Sequence, residues 1–241
     1  TVIPSPLEPA PLPEEITDAN ELFMHALHLW QYRHPYLEPM DYLERALGLD
    51  PHHIDANNLA GKIMMERGDF EEALRLFSQA AEASVRRNPN PYNTEPFYNR
   101  GILLKLLGRT EEAYEDLFRA VWVYAHKSSG YLAIAEIDCQ RGAFRLALEH
   151  VETALEANGT NFKAWKLKAM ILQKLGKPEQ ALHCLEHILK VDPLDFVALY
   201  EKSRISRMHD LPGREVAERA FIAVFRPLPE HYLDIAIDYA S

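Results

Sequence analysis

The sequence predicts an all-α chain built as an array of repeated helix pairs, and three observations predict it. Four segments, "ERGDFEEAL", "LLGRTEEAY", "QRGAFRLAL" and "KLGKPEQAL", align on Gly68, Gly108, Gly142 and Gly176, spaced 40, 34 and 34 residues apart. A small residue (Gly61, Gly101, Ala135, Ala169) stands seven positions before each Gly, and an Ala (Ala73, Ala113, Ala147, Ala181) five positions after it. Apolar residues then recur at helical spacing: Phe77, Leu117, Val151 and Leu185 four after each Ala, with Ala80, Ala120, Ala154 and Ile188 three further on. A period of this length marks a stacked array, because a single helix pair cannot bury its own apolar face.

Within each unit the signature residues have separate physical roles. The small residue in the first helix and the Ala in the second let the two helices approach closely, where larger side chains would overpack the crossing. The Gly supplies the left-handed conformation that ends the first helix. A second helix then starts: Asp69 with Glu72 reads as a capping pair, and Pro178 suits a first helical turn. "LDPHHIDA" and "VDPLDFVA" place Pro51 and Pro193 at matching helix ends.

On these residues the chain resembles the tetratricopeptide repeat (TPR) family, whose unit is a helix-turn-helix of the same length as the observed period. The resemblance implies a right-handed superhelical solenoid of antiparallel helix pairs (a TPR-type α-α superhelix) over residues 20–241. In the family register the repeats fall at 20–53, 54–87, 94–127, 128–161 and 162–195, followed by a divergent unit at 196–228 and a terminal first helix at 229–240. Repeat one departs from the pattern, with Pro39 at the Ala position and "QYRHPYLEP" in place of the Gly turn. Repeat six needs about two extra residues to bring Ala217 and Phe221 into register, and terminal units are often atypical.

Two segments interrupt the period. "RRNPNPYNTEPFYNRG", residues 86–101, holds the six extra residues of the long spacing. Asn88 and Asn90 precede prolines, which ends a helix; Asn93 or Thr94 caps the next, with Pro96 in its first turn. Residues 1–19 open with five Pro in the first thirteen positions and read as an extended linker or wrapping segment. On composition, the chain is expected to be one piece of a larger protein. "NPYNTEPFYNRG", "AVWVYAHKSSGYLAIAEIDCQRG" and "VDPLDFVAL" also resemble the TPR portion of large bacterial proteins that carry an N-terminal β-rich, carbohydrate-related domain of uncharacterised function. That resemblance implies a helical wing docked on its own β-domain, and assigns no reaction to these residues.

Composition narrows the functional classes. With 47% apolar and 26% charged residues the chain is a folding one. No run of about 18 apolar residues occurs, so no membrane span is expected. The net charge of −10 opposes nucleic acid as the main partner, since phosphate binding needs a cationic surface. Residues 162–214 run against this balance, with ten Lys or Arg against six Asp or Glu. Cys139 and Cys184 are too few for a disulfide framework, and no charged stretch followed by an apolar one opens the chain; a cytoplasmic setting is the expectation.

Motifs for chemistry are missing. There is no Gly-rich phosphate loop, nucleophile elbow or His-Glu-x-x-His, so an enzyme is not expected and no cofactor is implied. His183, His187, Cys184 and His150 fall near one another in the register, but this is not a recognised zinc spacing; these positions lie on the outer side of the family's helices, where polar residues are solvated, and no metal is expected. Glu71–Glu72 and Glu111–Glu112 open second helices, where they favour the helix dipole.

What the family resemblance leaves is a binding surface. First helices line a concave groove in TPR arrays, and its positions here offer His28, Asn58 and Lys62 toward one end. Tyr98, Asn99, Ile102, Lys105 and Leu132 follow in the middle, and Lys166, Met170, Gln173, Arg204 and Arg207 at the basic end. Glu21, His25, Asp55 and Lys163 occupy further groove positions. No three consecutive repeats reproduce the Lys/Asn/Asn/Lys/Arg carboxylate clamp of chaperone-binding members. The expectation is a non-catalytic protein-interaction module holding a peptide or protein segment, with the wing on a β-rich domain as the alternative.

Overall fold

The computed structural model describes residues 11–225, together with 230, 232, 233, 235 and 236. The first ten residues of the expected Pro-rich segment at 1–19 and most of the expected terminal helix at 229–240 lie outside the described residues. Among those described, the chain is all-α, with twelve α-helices and no strand. It divides into two compact units, the first ending at Val123 and the second beginning at Tyr124.

The first unit holds α1 (Ala19–Tyr32), α2 (Pro39–Leu49), α3 (Ile54–Arg67), α4 (Phe70–Val85), α5 (Glu95–Leu106) and α6 (Thr110–Ala120). The second holds α7 (Lys127–Gln140), α8 (Phe144–Ala157), α9 (Phe162–Lys174), α10 (Pro178–Val191), α11 (Phe196–Met208) and α12 (Arg214–Val224). Odd and even helices pack as pairs, and each even helix packs on the next pair within its unit. First helices also touch one another, α1 with α3 and α3 with α5, and likewise α7 with α9 and α9 with α11.

The turns inside the pairs are built alike. Gly68, Gly108, Gly142 and Gly176 have φ of 81°, 74°, 73° and 73°, the region glycine enters without a Cβ clash. The following amide then reaches back to a carbonyl in the last turn of the first helix: Asp69 to Met64, Arg109 to Leu104, Ala143 to Asp138 and Lys177 to Leu172, each at 2.9 Å. The same closure forms where Gly is missing. His34 N–H donates to Leu29 O at 3.0 Å beyond Arg33 (φ 48°), and Leu211 N–H to Ser206 O at 2.9 Å beyond Asp210 (φ 49°). Repeat one has therefore not replaced the turn, only the residue that makes it comfortable.

Packing at the crossings explains the small residues. A Cβ on Gly61 would lie 2.6 Å from the Phe77 ring, and one on Gly101 2.9 Å from Leu117 Cγ. Ala73, Ala113, Ala147 and Ala181 are all fully buried opposite them. Caps start the helices: Asp18, Asp69, Asn161 and Asp195 side chains accept from Glu21, Glu72, Ala164 and Ala198 amides at 2.8–3.2 Å. Ahead of α1, Ile16 is buried in the first core, and Tyr42 Oη donates to Pro11 O at 2.8 Å. The chain from residue 11 thus lies on the first helix pair. The inserted loop is tied down too. Thr94 Oγ1 donates to Ala120 O at 2.9 Å, while Asn93 accepts from Glu95 N–H and donates to Asp55 at 3.0 Å each. Asn93, rather than Thr94, satisfies the first-turn amide of α5.

Candidate interaction surfaces

In the first unit the predicted residues of α1, α3 and α5 meet through side-chain contacts about one repeat apart in sequence. Asn99 Nδ2 donates to Asn58 Oδ1 at 2.9 Å, and Asn58 is buried. Lys62 Nζ lies 3.2 Å from Glu95 Oε1 and 4.6 Å from the centre of the Trp30 ring. The Trp30 indole N–H in turn donates to Glu66 Oε2 at 3.3 Å. A strip of fixed polar and aromatic groups therefore crosses the three first helices. Beside it, at the C-terminal ends of α1 and α3, opens a cleft of about 590 Å³ lined by Trp30, His34, Glu66 and Arg67 among others.

The other predicted positions of this unit are placed differently. His28 is exposed and sits against Tyr32, ring centres 4.6 Å apart. Tyr98 is half-buried beside Ala81, Phe97 and Ala120, so it contributes to the core as well as to the surface. Ile102 and Lys105 are half-buried on α5. Trp30, Glu66 and Glu95 were not among the predicted positions; their signal was the recurrence of complementary residues about one period away.

The second unit changes the expected picture of a basic end. Arg204 donates twice to Glu201, at 2.9 and 2.6 Å, and to Gln173 Oε1 at 2.7 Å, bridging α11 to α9. Glu201 is 1% exposed, and its hydrogen bonds hold the Arg204 guanidinium still more firmly in the charged form. Lys166 Nζ lies 3.6 Å from Asp195, with 14% of the lysine side chain exposed. The positive charge at these two positions is met from within the unit: Glu201, three residues before Arg204, lies on the same helix face, and Asp195, at the start of α11, faces Lys166. Gln173 also donates to Met208 Sδ at 3.3 Å. Leu132 is buried in the core beside Ala135 and Val151, and Met170 is half-buried. Lys163 and Arg207 are the exposed cations of this face.

The histidine and cysteine cluster disperses. His150 Nδ1 is 2.7 Å from Asp138 Oδ2, and both side chains are largely buried, so His150 is not a solvated outer residue. The His187 ring sits 4.4 Å from Trp165, and Cys184 is buried in the second unit's core, contrary to an outer-surface placement. Burial, reinforced by Asp138 and Glu136, pushes the Cys139 thiol up to about 11; burial also raises Cys184. Neither is an activated nucleophile. Among the described residues no group of three or more His, Cys, Asp or Glu is placed to hold a metal ion, and no helix is long and apolar enough to cross a membrane.

These pairs of helices, with their glycine turns and small-residue crossings, define a helical-repeat protein of the solenoid type. Residues 40–90 and, separately, 150–183 match family models described as tetratricopeptide repeat. The chain carries tetratricopeptide repeats. It is 27% identical over 169 residues to the BBSome complex member BBS4 of Bos taurus, covering 70% of this chain and 31% of that one. It is also 38% identical over 60 residues to an uncharacterized protein of Methanocaldococcus jannaschii, 25% of this chain and 63% of that one. The chain thus spans less than a third of the bovine relative's length and under two thirds of the archaeal one's. Among solved structures, PilF of Pseudomonas aeruginosa has a TM-score of 0.75 at 17% identity, covering 92% of this chain and 96% of its own. YrrB, described as a TPR protein with an unusual peptide-binding site, has a TM-score of 0.63 at 16% identity, covering 82% and 97%. At these identities the likeness is one of fold.

Proposed function

We propose that the chain is a non-catalytic protein-interaction module, and that the face made by α1, α3 and α5 holds an extended peptide segment. The observation that carries this reading is the strip of mutually fixed groups running from Asn99 and Asn58 to Lys62, Trp30 and Glu66. Each asparagine keeps donor or acceptor capacity beyond the bond they share, and a peptide backbone presents both kinds of group in alternation. Side chains already held by their neighbours lose little further freedom when a ligand arrives. The adjoining cleft can take a side chain of the bound segment, against the Trp30 ring. Description of YrrB as a peptide-binding TPR protein and of the bovine relative as a member of a complex supports a binding role for this fold.

The test is a peptide-display selection on the whole chain, followed by affinity measurement on Asn99→Ala and Lys62→Ala. Both variants should weaken an enriched peptide by about tenfold, as expected of residues central to an interface. Lys163→Glu, on the second unit, should leave it unchanged. Retained affinity in both first-unit variants would remove this face from consideration.

A further inference from the structure

The inserted loop forms one wall of a separate pocket in the first unit, of about 430 Å³, that shares no residue with the strip on α1, α3 and α5. Pro89 and Pro91 stand on one side, Val85 closes the end of α4, and Phe97, Arg119 and Trp122 come from α5 and the end of α6. The wall is rigid for stated reasons: both prolines fix their own φ, Asn90 N–H donates to Asn88 at 3.0 Å, and Thr94 pins the loop to Ala120. The Phe97 ring is 2% exposed, with the guanidinium carbons of Arg119 and Arg100 at 5.5 and 5.7 Å. Arg100 is committed to Asp116, at 2.5 and 2.8 Å. Arg119 is exposed and makes no ion pair among the described residues. Trp122 is 77% exposed, and its indole N–H meets no partner there.

Charge decides what fits. No carboxylate lines the pocket, and Arg86 and Arg87 stand exposed in the turn between Val85 and Pro89. One unpaired arginine, Arg119, therefore lines an apolar, aromatic hollow, with Arg86 and Arg87 directly following its lining residue Val85, in a chain whose net charge is −10. An isolated apolar pocket would accept any hydrophobic side chain, whereas this rim favours an anionic segment and repels a cationic one. We propose that the pocket is a second binding site, taking an acidic segment of a partner protein that anchors one apolar side chain between Phe97, Trp122 and the loop prolines. A volume of this size suits one large side chain with its flanking backbone.

The experiment selects from a random-peptide display library on the immobilised full chain, then measures enriched peptides by fluorescence anisotropy. Peptides with an aromatic or branched apolar residue flanked by Asp and Glu should be enriched. Their affinity should fall about tenfold or more in Trp122→Ala and in Arg119→Glu, as for an anchor residue and its charged rim. Asn99→Ala should leave them unchanged, which separates this site from the first-helix face. Both mutated side chains are exposed, so the fold should persist, and an unaltered helical circular dichroism spectrum confirms it; Arg86→Glu with Arg87→Glu serves if either variant misfolds. Absence of acidic sequences among those enriched, equal binding of the Lys-flanked counterparts, or affinity that survives both variants would overturn the proposal. So would a dimer, seen by sedimentation, that Trp122→Ala dissolves, since the occupant would then be a second copy of the chain.

Discussion

Gly61 and Gly48 are both helical glycines, and their surroundings make opposite demands. At Gly61 an added Cβ would meet the ring of Phe77, which is fully buried and has no room to retreat. At Gly48, in α2, it would meet nothing within 4 Å. Gly61→Ala should therefore destabilise the chain by about 1–3 kcal/mol through overpacking, even though alanine is the better helix former. Gly48→Ala should stabilise it by up to about 1 kcal/mol from helix propensity alone. Urea unfolding of the two variants checks the pair, and a stabilised Gly61→Ala would mean the crossing is looser than described. The role of Gly61 was legible in the sequence, because the same position is small in four units. The bond between Asn58 and Asn99 was not: which asparagine faces which depends on how far one pair rotates against the next, and spacing alone does not state that.

At the scale of elements, the helix-ending turns show how little of the signature each turn requires. Four use Gly at positive φ, while Arg33 and Asp210 hold the same left-handed conformation with a Cβ present. For a side chain such as arginine that conformation costs about 1 kcal/mol or more, which the back-reaching amide of His34 offsets. Arg33→Gly should accordingly raise stability by several tenths to about 1 kcal/mol, less the extra freedom glycine has when unfolded. A thermal or urea melt measures it, and a fall in stability would show that the Arg33 side chain contributes something not visible in its exposed position. Helix pairs and their order were readable from period, Gly and caps. The turn of repeat one carries no glycine to mark it in the sequence, because what defines it is the back-reaching hydrogen bond of His34. The interrupting loop was located by arithmetic on the spacing, but its attachment to Ala120 and Asp55 follows from tertiary placement and carries no local mark.

Over the whole molecule, charge is divided unevenly between the units. Through Val123 the sequence carries eleven Lys or Arg against twenty Asp or Glu, a net −9; from Tyr124 onward, fifteen against sixteen, a net −1. A polyanion that offers no apolar side chain to the Phe97–Trp122 pocket should gain little against this net negative charge: the chain should pass through a heparin column at physiological ionic strength, and retention there would contradict it. The local excess of Lys and Arg in residues 162–214 was visible from composition, yet composition could not show that Arg204 and Lys166 face carboxylates. The crossing contacts bear on how such a chain can drift over generations. Sixteen residues separate Gly61 from Phe77, Gly101 from Leu117, Ala135 from Val151 and Ala169 from Leu185. At the first two the missing methyl is the condition for the large partner. An enlargement at one member is tolerable only after a reduction at the other, so the two positions mutate as a linked couple, and Gly61→Ala becomes harmless on a background where Phe77 has already shrunk to Val.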